Sequence, residues 1–348
     1  MSAPIDGGGM TTAAPHISRS AALAALFLAL FLLLVHPAAL TGRDPFSTTA
    51  APRVRIVTIH YVSHDGHDRL ATIVLPAWYG PKDNPPLPLV ISPHGRGGNG
   101  PGNAKYWGTM PATGRFAVIN PDGMGRRMKA FSYGYVGQID DLARMPEIAA
   151  HALPWLRIDR RRVYALGSSM GGQETLLLVA RHPGLLAGAA AMDSVADLAL
   201  RYRQLVDLGC DAKCMKRWGQ PVGRVLQSNL RREVGGTPQQ APAAYAARSG
   251  LDLAPRIASS GVPLQIWWSR DDKIVTDQQT QSGAMFRALR RLDRCAPVSE
   301  YVGHWAHSHE MRASSLLRFA LAGFGLISAD PNRLPHSVTY VRAPSCSL

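Results

Sequence analysis

Residues 161–180, Arg-Arg-Val-Tyr-Ala-Leu-Gly-Ser-Ser-Met-Gly-Gly-Gln-Glu-Thr-Leu-Leu-Leu-Val-Ala, constrain this chain more than any other stretch. They open with a short β-type run, Val163 to Leu166, and continue as an apolar helix from about Gln173 to Ala180. Between the two lies Gly167-Ser168-Ser169-Met170-Gly171, a G-x-S-x-G pattern centred on Ser169. A strand that turns this abruptly into a helix forces its central residue into left-handed backbone geometry. Glycines two before and two after remove the side chains that would clash with the turn. The Ser169 hydroxyl then stands clear of the sheet. The N–H of Met170 falls at a helix N-terminus, where developing negative charge is favoured.

The surrounding elements predict an α/β fold. Val54–Val62 and Leu70–Leu75 read as strands joined by Ser63–Asp68, whose Asp-Gly is a hairpin signal. His60, His64 and His67 around that hairpin fit turn and surface positions better than a metal site. Further strands are expected at 87–92, 115–120, 185–192, 262–268 and 298–302. A core-facing helix over 138–153 is marked by Ile139, Leu142, Met145 and Ile148, and a closing helix is expected over 308–324. Strands alternating with helices imply a mostly parallel central sheet with helices on both faces. From Ser194 to about Pro255 the composition shifts to arginine, glutamine and two cysteines, which reads as a helical, lid-like insertion. The loop 124–137, rich in glycine and aromatics, is placed beside the substrate cleft, and Asp122 reads as a turn former.

Strand 87–92 runs into Pro93-His94-Gly95-Arg96-Gly97-Gly98. Such a glycine-rich turn lets the backbone approach a substrate oxygen, so one arm of an oxyanion hole is assigned to the N–H of Gly95 or Arg96, the other to Met170. A serine, an acid and a histidine follow in that order, each at the C-terminal end of an expected strand, where open α/β sheets build their sites. A serine nucleophile, a histidine base and an aspartate that orients it form the minimal set for acyl transfer.

On these motifs the chain resembles the α/β-hydrolase superfamily. His94-Gly-Arg-Gly-Gly98, Asn120-Pro-Asp-Gly123 and Gly167-Ser-Ser-Met-Gly171 are similar to secreted esterases of the polyhydroxybutyrate depolymerase and feruloyl esterase group. Prolyl-oligopeptidase-type serine peptidases share much of the pattern. The resemblance covers roughly residues 54–325 and implies an acid three residues before a valine, which selects Asp272, ahead of Val275, over Asp271. For the base it implies His304, in a G-H-W form directly after the last strand, with His307, in an H-S form, as the alternative; His309 falls inside the closing helix. Ser168 in place of other residues found there in relatives leaves a one-residue ambiguity, which the flanking glycines resolve toward Ser169.

Before this body, fifteen apolar residues (Ala21–Val35) end at His36-Pro37, a length that suits a signal peptide better than a membrane span of about 20 residues. Met10 offers a second start. The expected organisation is therefore 1–45 as signal peptide or N-terminal membrane anchor, 46–325 as the catalytic domain with 194–255 as the insertion, and 326–348 as a tail. The net charge of +14 comes mainly from arginine, with six lysines among 38 basic residues. Scattered as they are, these charges exclude a nucleic-acid interface while favouring anionic surfaces, and residues 21–40 provide a route to membrane association. Four cysteines suit an oxidising compartment, and of three possible connectivities Cys210–Cys214 with Cys295–Cys346 comes first. Neither a metal cluster nor a nucleotide loop stands out, so no cofactor is expected. The reading is an exported serine esterase acting on a small-molecule or polymeric ester. The alternatives are a prolyl-oligopeptidase-type peptidase or a catalytically silent binding protein of the same fold.

Overall fold

The structure is a computed structural model that describes residues 51–123, 132–312, 315–328, 334, 337–344 and 346. The apolar segment 21–40 and positions 124–131 of the expected cleft loop lie outside the described residues.

Among the described residues nine strands form one sheet: β1 (Val54–Val62), β2 (Asp68–Pro76), β3 (Leu87–Ile91), β4 (Ala117–Pro121), β5 (Ile158–Ser168), β6 (Gly188–Met192), β7 (Leu264–Ser269), β8 (Val298–Gly303) and β9 (Thr339–Val341). Their spatial order is β1-β2-β4-β3-β5-β6-β7-β8-β9. The run from β4 through β3 to β8 is parallel, while β1, β2 and β9 pair antiparallel at the two edges. This is the expected α/β architecture, with a mostly parallel sheet.

Alternation along the buried strands divides the core in two, because successive side chains point to opposite faces. Leu89, Ile91, Ala165 and Ile266 join one apolar cluster, which is covered by residues of helices Val136–Ala143, Met170–Arg181, Ala254–Ala258 and Ser282–Leu292. Val90, Val118, Leu166 and Trp267 join the other, under Trp107, Met110, Leu317 and Leu321. Helices thus cover both faces, and strands buried on both sides read as continuous apolar runs.

Three elements differ from the sequence expectation. The helix expected over 138–153 is two helices, Val136–Ala143 and Met145–Ala152, meeting at Arg144. Pro146 is the cause: it lacks an N–H, and its ring clashes with the carbonyl four residues back, so it is tolerated only in a first turn. The closing helix begins at Ser315 instead of Ser308, and His309–Met311 form a separate 3-10 turn. Finally, the tail contributes β9 through the register Tyr301↔Tyr340, with Tyr340 stacked on Tyr301 at 6.1 Å. All three β9 residues are exposed, so they carry no amphipathic signal to read. The disulfide Cys295–Cys346 ties this tail to the segment before β8, and Cys210–Cys214 forms the second bridge.

Between β6 and β7 the chain builds helices Leu198–Gln204, Ala212–Trp218, Val222–Val234 and Pro242–Ala246. Residues of the first, third and fourth of these helices and of the turn after the first join a third cluster, in which Leu205, Leu226 and Leu230 pack with Met170, Tyr133 and Val275. That packing sets the insertion against the end of the elbow helix, at the C-terminal edge of the sheet.

Candidate active site

Ser169 stands between β5 and helix Met170–Arg181 with φ 62° and ψ −123°. Such backbone strain costs about 1–3 kcal/mol and survives only where the surroundings enforce it. Here they do. A Cβ on Gly167 would lie 2.5 Å from the Gly171 carbonyl oxygen, and one on Gly171 would lie 2.3 Å from that of Pro93. Both glycines are therefore required by close backbone approach. The next residue along, Met170, opens the helix, whose first-turn N–H groups have no partner within it.

The glycine-rich turn reaches the same point: a Cβ on Gly95 would meet Ser169 Cβ at 3.7 Å. His94 holds this turn in place, with Nδ1 2.7 Å from the Gly95 carbonyl oxygen and Nε2 2.9 Å from that of Asp122. Asp122 in turn accepts from the Gly100 N–H at 2.6 Å, which ties the end of β4 to the helix that begins at Gly100 rather than closing a local turn. Gly95, Arg96, Ser169 and His307 all line one cleft of about 520 Å³.

Asp272 follows β7. It accepts from the N–H groups of Ile274 and Val275 at 2.8 and 3.0 Å, and from the Gln278 amide at 3.1 Å. His307 Nδ1 lies 2.7 Å from Oδ2, the oxygen that also accepts from Gln278. Burial pushes the Asp272 carboxyl up, but the hydrogen bond and charge of His307, with the Gln278 and backbone donors, outweigh it and hold the group below its ordinary range. The sequence preference for His304 is not supported by this geometry. That ring pairs with Asp271 at 3.1 Å on the surface, the two side chains 55% and 58% exposed, against 15% and 1% for His307 and Asp272. The reason is local: the chain after β8 needs the turn 304–308 before it comes back over the β7 end, so the residue directly after the strand points outward.

Ser168 is not equivalent to its neighbour. It ends β5, and its hydroxyl donates to Glu310 Oε1 at 2.7 Å and lies 2.9 Å from Ser308 Oγ, which can donate to it. Sequence reasoning missed what it bonds to. Glu310 and Asp193 form a carboxyl pair beneath the site, both fully buried. Asp193 accepts from the Ser269 N–H at 2.9 Å, and from Trp305 Nε1 and the Ser308 N–H at 3.1 Å each. Burial, and then the neighbouring Glu310 and Asp272 charges, push Asp193 well above the ordinary carboxylate range. Burial likewise pushes Glu310 up to about 7, against the pull of the Ser168 hydrogen bond. No motif flags this pair, because it is assembled from the end of one strand, β6, and a 3-10 turn more than a hundred residues later. A signal existed only for Asp193, which closes β6.

One carboxylate oxygen each from Asp193 and Asp272 and one ring nitrogen of His307 lie within 4.8 Å of one another. Their oxygens are already engaged by N–H donors, which suits a hydrogen-bonded network and leaves little for a cation. The hairpin histidines are elsewhere: His60 pairs with Asp68 at 2.7 Å, His64 with Asp141 at 2.6 Å, and His67 contacts the Asp65 carbonyl at 3.2 Å.

No family model matches the chain, and no curated protein matches it either. Solved structures do. Pyrococcus horikoshii acylaminoacyl peptidase superposes with a TM-score of 0.58 at 16% identity, over 79% of this chain and 41% of the peptidase. S-formylglutathione hydrolase from Staphylococcus aureus gives 0.55 at 17% identity, over 78% of this chain and 99% of that one. The fold is that of the α/β-hydrolases. A fungal esterase from Rhizomucor miehei adds a TM-score of 0.57 at 14% identity, over 79% of this chain and 83% of the esterase. The chain thus spans about two-fifths of the peptidase and nearly all of the S-formylglutathione hydrolase. In α/β-hydrolases the loops at the C-terminal ends of the strands build the site, and Ser169, Asp272 and His307 all occupy such loops here.

Proposed function

We propose that this α/β-hydrolase is an exported serine hydrolase that cleaves carboxylic esters through Ser169, His307 and Asp272. The observation that carries the reading is the part-buried 2.7 Å His307–Asp272 hydrogen bond, whose histidine lines the same cleft as a strained Ser169. Ser169 Oγ attacks the acyl carbon while His307 Nε2 takes its proton; Asp272, bonded to Nδ1, fixes the tautomer and stabilises the imidazolium that forms. The tetrahedral oxyanion is met by the N–H of Met170 and one from Gly95 or Arg96. The imidazolium then protonates the departing alcohol, and water, activated by the same ring, releases the acid.

Ester over peptide is favoured because the hydrolase and esterase structures match over 99% and 83% of their length, whereas the peptidases match over about two-fifths or less. Export is favoured by two disulfides and by the apolar run Ala21–Val35. The test is a fluorophosphonate probe on the full chain, with the labelled residue mapped by mass spectrometry beside turnover of a chromogenic ester and a peptide amide. Labelling at Ser169 with ester turnover is expected. Folded protein that neither labels nor turns over ester leaves the silent binding protein as the answer.

A further inference from the structure

Arg201 lies in helix Leu198–Gln204 of the insertion and is 6% exposed, although it carries a charge. Its Nη2 donates to the Ile274 carbonyl at 2.5 Å, which ties the insertion to the loop after Asp272. Its Nη1 is buried with no hydrogen-bond partner among the described residues, and Arg201 forms no ion pair with them within 4.0 Å. Burial draws its pKa down to about 10, with Asp272 opposing and Arg96 assisting, so the guanidinium stays charged at neutral pH. A buried cation with an unmet donor is costly unless something supplies the acceptor. Asp272 is not that acceptor, since His307, Gln278 and two backbone N–H groups already engage it.

Arg201 faces a small recess that Ser169, Met170, Arg96 and Tyr133 also line, with apolar walls that include Leu205 and Leu226. The recess has about 40 Å³ of accessible space. One water needs roughly 10–15 Å³ by that measure, so the space fits a planar group of about three heavy atoms. A carboxylate has that size, and it is the acceptor whose geometry a guanidinium matches best.

We propose that Arg201 anchors an anion in this recess, and that the ester cleaved at Ser169 carries a free carboxylate a few atoms from its scissile carbonyl. The inference deepens the hydrolase reading and rests on it for the word ester. Water in the recess would also satisfy Nη1, but a neutral substrate closing over it would strand the donor. Sites built around such a donor discriminate strongly against ligands that cannot meet it.

The test uses two pairs of esters on the full chain, after subtraction of spontaneous hydrolysis. The first pair, p-nitrophenyl hydrogen succinate and its methyl ester, puts the carboxylate on the acyl side. The second, 4-carboxyphenyl butyrate and its methyl ester, puts it on the leaving group. At least one charged member is expected to exceed its neutral partner in kcat/KM by about tenfold or more. The pair that does so names the side. Arg201→Gln is expected to lower kcat/KM of the charged member at least about fivefold more than that of its neutral partner, so that the preference is lost, and Arg201→Lys to restore part of it. A variant that only damaged the fold would slow both members alike. Equal or lower rates for both charged esters overturn the inference while leaving the hydrolase reading intact. A thermal shift of the unaltered chain with methyl hydrogen succinate, absent with dimethyl succinate, reads the same site without turnover. That shift with no ester cleaved would keep the anion site and sink the hydrolase. No shift, with no charge preference, removes Arg201 as an anchor.

Discussion

Two histidine–aspartate pairs sit a few residues apart at the end of β8, and they differ in almost everything but chemistry. Asp272 is buried and His307 largely so, the two 2.7 Å apart, and three further donors hold the carboxylate. His304 and Asp271 are more than half exposed, 3.1 Å apart, and open to solvent. Exposed pairs are screened and mobile, whereas a buried carboxylate fixed by several donors keeps its geometry and its charge. Composition and spacing cannot rank the two pairs, but burial does.

The sharpest way to break this comparison is kinetic. Replacing the more enclosed histidine, His307→Ala, is expected to lower kcat/KM on a chromogenic ester by about 10⁴-fold or more, with His304→Ala within about threefold of the unaltered chain. Equal losses would return the base to the surface pair. Next comes the acid. Asp272→Asn leaves the shape but offers Nδ1 the wrong tautomer, for an expected drop of about 10⁴ in kcat, whereas Asp271→Asn stays near the starting activity. Comparable rates for the two variants would remove Asp272 from the mechanism.

Stability gives a smaller contrast. Asp272→Ala strands the donors of Ile274, Val275 and Gln278, which is expected to cost about 2–4 kcal/mol in urea unfolding; Asp271→Ala is expected to cost less than about 1. The smallest effect sharpens the comparison with the third acidic group of the site. Asp272 has a depressed folded pKa, so its contribution is present above its ordinary value of 3.8 and fades as pH falls below that. Glu310 is raised from 4.5 to about 7, so its contribution is full below 4.5 and is lost as pH rises through about 7. Unfolding midpoints measured from pH 5 to 8.5 are expected to fall for the unaltered chain and to fall less steeply for Glu310→Gln. Parallel curves would count against the Asp193–Glu310 pair as the source.

The elbow was legible because it is local. Gly167, Ser169 and Gly171 lie within five residues, and the turn they make needs no information from elsewhere in the chain. The hairpin at Asp65-Gly66 and most of the parallel strands were legible for the same reason, since apolar runs bounded by turn residues carry their own periodicity. The break at Arg144 was readable in principle from Pro146, which a count of apolar spacing overlooked. β9 was not readable, because its three exposed residues become a strand only by pairing with β8.

By itself, then, the sequence determined that β5 must turn sharply at Ser169, that a mostly parallel sheet lies around it, and that an acid and a histidine follow at later strand ends. Tertiary structure alone decided which histidine meets which aspartate, that Ser168 bonds to Glu310, and that Arg201 keeps a charge buried beside the nucleophile. The division has one physical cause. Backbone turns and strand periodicity depend on neighbours in sequence, while burial, and with it the strength of every charge in the site, depends on which distant segments the fold brings together.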